Sequence, residues 1–204
     1  MSGELVDTTE MYLKAIYELE EEGVPALRAR LVDRLEQSKP TVSETVGRLE
    51  RLGLLTVEDS RVISFSEQGR EKATSVMRKH RLAECLLRDV IKFPWHKIHT
   101  EACRWENVMS DEIEQRFNEI LSFPKTDPYG NLIPPVGTLG PEKPAQDYSL
   151  VTVEHCVKKN KQVNFRLVRI GETVQTDSDF LLSLYEAGVL PDTEVEISAD
   201  ASGA

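Results

Sequence analysis

The chain contains no apolar run near the ~18 residues that a membrane-spanning helix needs. Its first ten residues, MSGELVDTTE, lack the basic-then-apolar order of a secretory leader, so a cytoplasmic location without membrane association is expected. Cysteine is scarce: Cys85, Cys103 and Cys156 lie far apart in 204 residues. An odd, scattered set makes a poor disulfide framework and suits a reducing compartment, which leaves each thiol for packing or for metal. HExxH, a P-loop and a Ser/His/Asp order are all missing, so hydrolytic catalysis has no support and no enzyme is expected. Positive charge is also short, with a formal net charge of −10. The deficit is uneven, because residues 28–99 hold 15 Lys/Arg against 10 Asp/Glu, a net of +5, and the remainder sums to −15. The basic stretch is the part able to meet phosphate, and the acidic remainder resists indiscriminate sticking.

What is present, 40% hydrophobic and 29% charged residues, suits one or two compact domains. In DTTEMYLKAIYELEEEG, Tyr12, Ala15, Ile16 and Leu19 recur at helical spacing until Gly23 stops the helix. ALRARLVDRLEQS and PTVSETVGRLERLG follow as two short helices separated by Ser38-Lys39, with Pro40 placed to start the second. This is a helix-turn-helix candidate. LLTVEDSRVISFS then reads as a small β-hairpin in which Leu55, Val57, Val62 and Ser64 alternate around the EDS turn. A helix-turn-helix followed at once by a hairpin is a winged-helix order, and it favours DNA binding over a solvated helical hairpin. In the second helix Val42, Val46 and Leu49 are expected inward, turning Thr41, Glu44, Thr45, Arg48 and Arg51 outward for base edges and phosphates. Arg61 at the hairpin tip becomes a further contact.

SEQGREKATSVMRKHRLAECLLRDVIK reads as one long helix with Val76, Ala83, Leu87 and Val90 on a face. After a break at FPWHK, IHTEACRWENVMSDEIEQRFNEIL is expected to be a second, with Trp105, Met109, Ile113, Phe117 and Leu121 at four-residue spacing. One helix cannot bury that stripe, so a second copy of the chain is the expected cover. Residues 122–148, with six of the ten prolines, read as a linker. Beyond it SLVTVEH, VNFRLVRI and TEVEIS are expected strands and SDFLLSLYEAG a short helix, a small β domain expected to be short of its closing strands.

Metal chemistry rests on three spacings. His80 and Glu84 are one helical turn apart, and His99, Cys103, Glu106 and Asn107 follow at 0, +4, +7 and +8 on what reads as one stripe. Singly, His80 suits a core histidine, His99 a surface one and Cys103 a small hydrophobe; together, on two facing helices, they favour ligation. The set is not a closed structural zinc site. Mixed nitrogen, oxygen and sulfur donors suit a divalent transition metal such as Fe²⁺, with Mn²⁺ less favoured beside a thiolate.

LVDTTEMYLKAIYELEEEGV, LRARLVDRLEQSKPTVSETVGRLER, VMRKHRLAE and HTEACRWENVMSDEIE closely resemble the diphtheria toxin repressor family of iron-dependent regulators, from about residue 5 to 121 and more loosely through GETVQTDSDFLLSLYEAGVLPDTEVEI. The resemblance implies a mainly α fold with small β parts: a winged helix-turn-helix domain (1–73), a helical dimerisation and metal-binding domain (74–121), the linker, and an SH3-like domain (149–204). It implies an ancillary metal site of His80, Glu84, His99, Glu172 and Gln175, and a primary site of Met11, Cys103, Glu106 and the position of Asn107. The DNA-contacting set becomes Thr8, Arg28, Ala29, Ser38, Pro40, Thr41, Ser43, Glu44, Arg48, Arg51 and Arg61. The implied protein is a homodimer that takes Fe²⁺ as corepressor, with Mn²⁺, Co²⁺, Ni²⁺ or Zn²⁺ as surrogates, and binds a palindromic double-stranded operator of iron-homeostasis genes. A manganese-responsive repressor is the alternative within the class, and a metal-binding enzyme with an incidental helix-turn-helix the alternative outside it. Two positions depart from the family pattern: Asn107 replaces a histidine, and Glu44 replaces a glutamine on the recognition helix, where a carboxylate accepts from cytosine N4 and repels phosphate.

Overall fold

The computed structural model describes residues 8–138, 150–159 and 162–198. Helix α1 (Thr8–Glu21) buries eight consecutive residues, Tyr12 to Leu19. The expected apolar face is there, but the helix is enclosed on every side, and Lys14 and Glu18 are buried with it. Gly23 ends the segment in the left-handed region (φ 70°).

Helices α2 (Arg28–Leu35) and α3 (Lys39–Arg51) form the helix-turn-helix. The turn starts at Glu36, whose left-handed backbone (φ 51°) returns its N–H to Val32 O. It ends at Ser38, whose Oγ accepts from Thr41 N at 3.3 Å, with Pro40 in the first turn where no N–H is needed. Val42, Val46 and Leu49 are buried beside Leu31 and Ile16. Thr45, expected outward, is buried as well, and the Tyr12 hydroxyl of α1 donates to Gln37 Oε1 at 2.6 Å in the turn before α3. The wing follows as β1 (Leu55–Val57) and β2 (Ile63–Phe65), paired antiparallel with Leu55 opposite Phe65 and Val57 opposite Ile63. The five-residue turn between them keeps odd positions together, so Ile63 and Phe65 share the inner face with Leu55 in place of the expected Val62 and Ser64.

Ser66 joins the wing to α4 (Glu67–Leu86): its Oγ caps the helix by accepting from Gly69 N at 3.0 Å and donates to Gly53 O at 2.6 Å. The helix continues through a π turn, Leu87–Ile91. The extra residue per turn rotates Val90 out to 54% exposure, off the face it was expected to share. The next expected helix is two helices, α5 (Ile98–Trp105) and α6 (Asp111–Ile120). Ser110 starts the second by accepting from Ile113 N, with Asp111, Glu112 and Glu114 favourably placed in its first turn. The stripe from Trp105 to Leu121 is therefore not one face. Met109 is buried, Trp105 and Phe117 pack against the core, and Ile113 is left 45% exposed.

The described part of the expected linker, 122–138, is instead a folded strap. Asp127 Oδ1 accepts from Tyr129 N (2.7 Å) and Asn131 N (2.9 Å), and Asn131 Nδ2 donates to Asp127 Oδ2 and to Ile170 O. Tyr129 is fully buried and donates to Trp95 O at 2.8 Å. Prolines between such self-bonded turns restrict the chain rather than loosen it. The rest of the linker, 139–148, lies outside the described residues. Beyond it come α7 (Val153–Lys159), β3 (Gln162–Arg166), α8 (Glu172–Gln175), α9 (Ser178–Glu186) and β4 (Glu194–Ser198), with β3 and β4 paired antiparallel. The first expected strand is helical at 153–159, where Thr152 Oγ1 accepts from His155 N at 3.2 Å and starts the turn. No helix among the described residues is long and apolar enough to cross a membrane.

A Cβ at Gly69 would overlap the Leu54 carbonyl oxygen, a backbone atom of the wing. Gly69→Ala is expected to cost about 2 kcal/mol, the range for forced overpacking, and thermal unfolding measures it.

Candidate metal centre and DNA-facing helix

Four helices converge on one buried array. α4 supplies His80 and Glu84, α5 supplies His99 and Cys103 with Glu106 at its C-terminal end, α1 supplies Lys14, and α8 supplies Glu172. His80 Nε2 lies 2.9 Å from Glu84 Oε1, 3.2 Å from His99 Nδ1 and 3.5 Å from Glu172 Oε2. His99 Nδ1 closes the ring, 3.3 Å from Glu84 Oε1 and 3.4 Å from Glu172 Oε2. All four side chains are buried and offer ligand atoms within 4.8 Å of one another, close enough for one divalent ion to replace the pairwise contacts.

The second nitrogen of each imidazole faces a second set. His80 Nδ1 is 2.6 Å from Glu106 Oε2, and His99 Nε2 is 3.6 Å from Cys103 Sγ. Lys14 Nζ sits among these groups, 3.0 Å from Glu106 Oε2, 3.4 Å from Cys103 Sγ and 3.0 Å from His80 Nδ1. The two sites implied by the resemblance are thus contiguous, and the histidines bridge them. Met11 borders the same cavity of about 620 Å³ as Cys103, Glu106, Asn107 and Glu172. Gln175 is fully buried one turn after Glu172, and its Nε2 donates to Ile170 O at 2.8 Å.

The donor chemistry fits a metal. Five buried side-chain polar atoms lack a hydrogen-bond partner among the described residues; four are Glu84 Oε2, Glu172 Oε2, Gln175 Oε1 and Asn107 Oδ1, all members of the expected ligand sets, and the fifth is Thr74 Oγ1. An unsatisfied buried acceptor costs roughly 1–3 kcal/mol, so orphans concentrated on one centre call for a shared cation. Glu172 is held for this role by Arg81, a fully buried guanidinium 3.2 Å from Glu172 Oε1 and 2.6 Å from Glu21 Oε2, which leaves the other Glu172 oxygen facing the histidines.

Without metal, the array is a lattice of opposite charges. Burial opposes ionisation of Cys103, but the charges of Lys14 and His80 beside it, with His99 Nε2 at 3.6 Å, pull its thiol down to about 5. Burial likewise opposes Glu106, and Lys14 and His80 hold it at about 2. Burial and Lys14 work against a charge on His80, yet Glu84, Glu172 and Glu106 raise it well above the usual imidazole range. His99 is pushed up to about 10, since Cys103 and Glu84 outweigh its burial. A metal held by these imidazoles would need their ligating nitrogens unprotonated, so its binding there would compete with protons.

Sequence reasoning missed Lys14, Arg81 and the strap. Lys14 follows Met11 by three residues, hence on the same face of α1, and Arg81 is the neighbour of His80; those positions were the available signals.

On the DNA-facing side, Pro40, Thr41, Ser43, Glu44 and Arg51 are exposed on α3 and Arg48 is half-buried. Ser38 caps that helix and shares a 2.7 Å hydrogen bond with Thr41 Oγ1. Arg28 and Ala29 open α2, Thr8 opens α1 exposed, and Arg61 lies in the wing turn with a left-handed backbone (φ 67°).

A winged helix-turn-helix built onto a buried histidine, thiolate and carboxylate centre defines the class of metal-responsive DNA-binding regulators. Residues 4–63 match the family model described as iron dependent repressor, N-terminal DNA binding domain, and residues 66–135 the one described as iron dependent repressor, metal binding and dimerisation domain. The chain belongs to the iron-dependent repressor family. It is 50% identical to the iron-dependent repressor IdeR of Mycobacterium bovis (strain ATCC BAA-935 / AF2122/97), covering 98% of this chain and 87% of that protein. It is 48% identical to the diphtheria toxin repressor of Corynebacterium diphtheriae (strain ATCC 700971 / NCTC 13129 / Biotype gravis), over 95% and 85% of the two chains. Among solved structures, ScaR with bound Zn²⁺ superposes with a TM-score of 0.75 at 26% identity, covering 96% of this chain and 86% of that one. A manganese-dependent transcriptional repressor in complex with manganese does so with a TM-score of 0.74 at 26% identity, over 92% and 81%.

Glu106 is ionised well below its ordinary range, so its contribution to metal-free stability is complete above about pH 4.5 and disappears as pH falls toward 2. Glu106→Gln is expected to cost on the order of 3 kcal/mol at neutral pH in chelator and progressively less below about pH 4.5, checked by thermal unfolding across pH.

Proposed function

We propose that this protein is a homodimeric transcriptional repressor activated by Fe²⁺, which binds a palindromic operator through α3 and the wing when the buried centre is loaded. The observation that carries the reading is the concentration of orphaned acceptors and paired histidines where α1, α4, α5 and α8 meet. His80, Glu84, His99, Glu172 and Gln175 form the ancillary ligand set, and Met11, Cys103, Glu106 and Asn107 the primary one. Bound metal supplies positive charge and fixed coordination geometry to groups that otherwise rely on one another.

The chain's own residues convert this into DNA binding. Met11 stands on α1, and α1 packs on α2 and α4, so a ligand set spanning Met11 and Cys103 ties the DNA-binding domain to the dimerisation helices. That tie fixes the spacing of the two recognition helices in the dimer, which must meet successive major grooves. A ligand that favours this arrangement shifts the population toward it by its difference in affinity for the two states. Arg81 of α4 bridges Glu172 to Glu21 of α1, so the C-terminal part takes part in the same equilibrium. The domain limits that follow are 1–73, 74–121 and 149–204, the last an SH3-like unit, and the protein works in the cytoplasm as a regulator, not an enzyme.

A manganese-responsive variant of the reading is favoured by one feature: Asn107 offers an amide oxygen where an imidazole is usual, and oxygen donors suit harder ions. Cys103 in the same set favours Fe²⁺. Fluorescence anisotropy with an operator duplex is expected to show weak binding in chelator and tighter binding on adding Fe²⁺ or Co²⁺; affinity that ignores metal contradicts the proposal. Arg48→Ala should weaken binding about tenfold regardless of sequence, as loss of a phosphate contact does. Titrating Fe²⁺, Mn²⁺ and Zn²⁺ into the wild type and Asn107→His separates the two metals, the histidine variant gaining most for Fe²⁺.

A further inference from the structure

We propose that Lys14 is a resident counter-cation of the metal centre, whose ammonium holds Cys103 and Glu106 until metal displaces it and so sets the metal concentration at which the protein responds. This inference rests on the metal-sensing reading above and concerns the threshold of that same site.

The geometry is that of an occupied cation site. Lys14 is 7% exposed, and its Nζ contacts Glu106 Oε2, Cys103 Sγ and His80 Nδ1 at 3.0, 3.4 and 3.0 Å. Two of these, to Glu106 Oε2 and Cys103 Sγ, are hydrogen bonds that an ammonium donates; at the third, Nζ and His80 Nδ1 both face Glu106 Oε2. All three contacted atoms belong to proposed metal ligands, two in the primary set and the third in the ancillary histidine that bridges both sets. A divalent ion bonded to Cys103 and Glu106 would stand at roughly 2–2.3 Å from each, within the space that the ammonium fills. The ion and the ammonium would occupy the same space between Cys103 Sγ and Glu106 Oε2, so one excludes the other. Every metal ion that binds there therefore breaks the contacts of Lys14 first, and the intrinsic affinity of the ligands is reduced by the strength of those contacts.

The structure also offers the displaced ammonium a place to go. Lys14 has a flexible four-carbon stem, and Glu18 lies four residues further along α1, on the same face and bordering the same cavity. Glu18 is buried and paired to Arg34 at 3.0 Å, so a second cation there meets a carboxylate already positioned. Lys14 thus has two acidic neighbourhoods, one used without metal and one reachable with it. The device also keeps the metal-free protein folded, because it neutralises a thiolate and a carboxylate that burial would otherwise make costly.

The test is Co²⁺ affinity by isothermal titration and thermal unfolding in chelator, for the wild type, Lys14→Gln and Lys14→Arg. Removing the charge is expected to tighten Co²⁺ binding about tenfold or more, to lower the unfolding temperature without metal, and to enlarge its rise on adding Co²⁺. Lys14→Arg, which keeps the charge, should not tighten binding. If Lys14→Gln binds Co²⁺ equally or more weakly than a wild type that binds it well, Lys14 supports the ligands and the inference is overturned while the sensor reading stands. If the wild type and both variants bind no Co²⁺, the inference and the sensor reading both fall. Should Lys14→Gln not fold in chelator, refolding it with Co²⁺ present keeps the comparison: recovery to a protein that holds Co²⁺ more tightly than wild type supports the inference, and no recovery overturns it.

Discussion

Burying acids around two histidines is the constraint on which the rest of this structure depends. Glu84, Glu106 and Glu172 are buried and Cys103 half-buried within a few ångströms of one another, and Glu18 and Glu21 stand close behind. Each such charge carries a desolvation cost of several kcal/mol unless it is paired with good geometry. The chain meets that demand with His80, His99, Lys14 and Arg81, one or more from each of α1, α4 and α5. These helices therefore cannot move apart without stranding a charge, and a metal ion that rearranges the pairing acts on all of them together.

The same constraint explains why distant stretches of chain fold onto the centre. The strap between α6 and the C-terminal part is pinned by Asp127 and Asn131, and Asn131 holds Ile170 O just before α8. That contact, with Arg81 on Glu172 Oε1, delivers Glu172 to a pocket some ninety residues away in sequence. Gly130 makes the seam possible: its left-handed backbone (φ 86°) packs directly on the Val168 carbonyl, where any side chain would collide. The C-terminal part is thus tied to the proposed metal centre by backbone as well as by the Glu172 carboxylate.

Much of this was legible in the residues because it was local. The helix-turn-helix showed in the apolar spacing of Val42, Val46 and Leu49 and in Ser38-Lys39-Pro40; the wing showed in its turn, and the candidate metal donors in the spacing of His80, Glu84, His99 and Cys103, which the fold brings together. What was not legible depended on tertiary context. A cap at Ser110 outcompeted the four-residue apolar repeat that suggested one long helix, and Thr152 started a helix where β-branched residues suggested a strand. Proline density marked 122–138 as a linker, whereas asparagine and aspartate side chains bonded to their own backbone made it rigid. For Lys14 the spacing from Met11 was a weak signal, since a lysine in a helix is ordinarily solvated and its role emerges only when Cys103 and Glu106 are brought against it.

The central claim is that this buried array is a metal centre spanning the DNA-binding and dimerisation parts of the chain. Anomalous X-ray scattering from Co²⁺-loaded crystals tests it most directly. The account predicts one peak within bonding distance of His80, Glu84, His99 and Glu172, and another beside Cys103 and Glu106 with Met11 turned toward it. Peaks confined to the protein surface, with Lys14 still seated against Cys103 and Glu106, would contradict it.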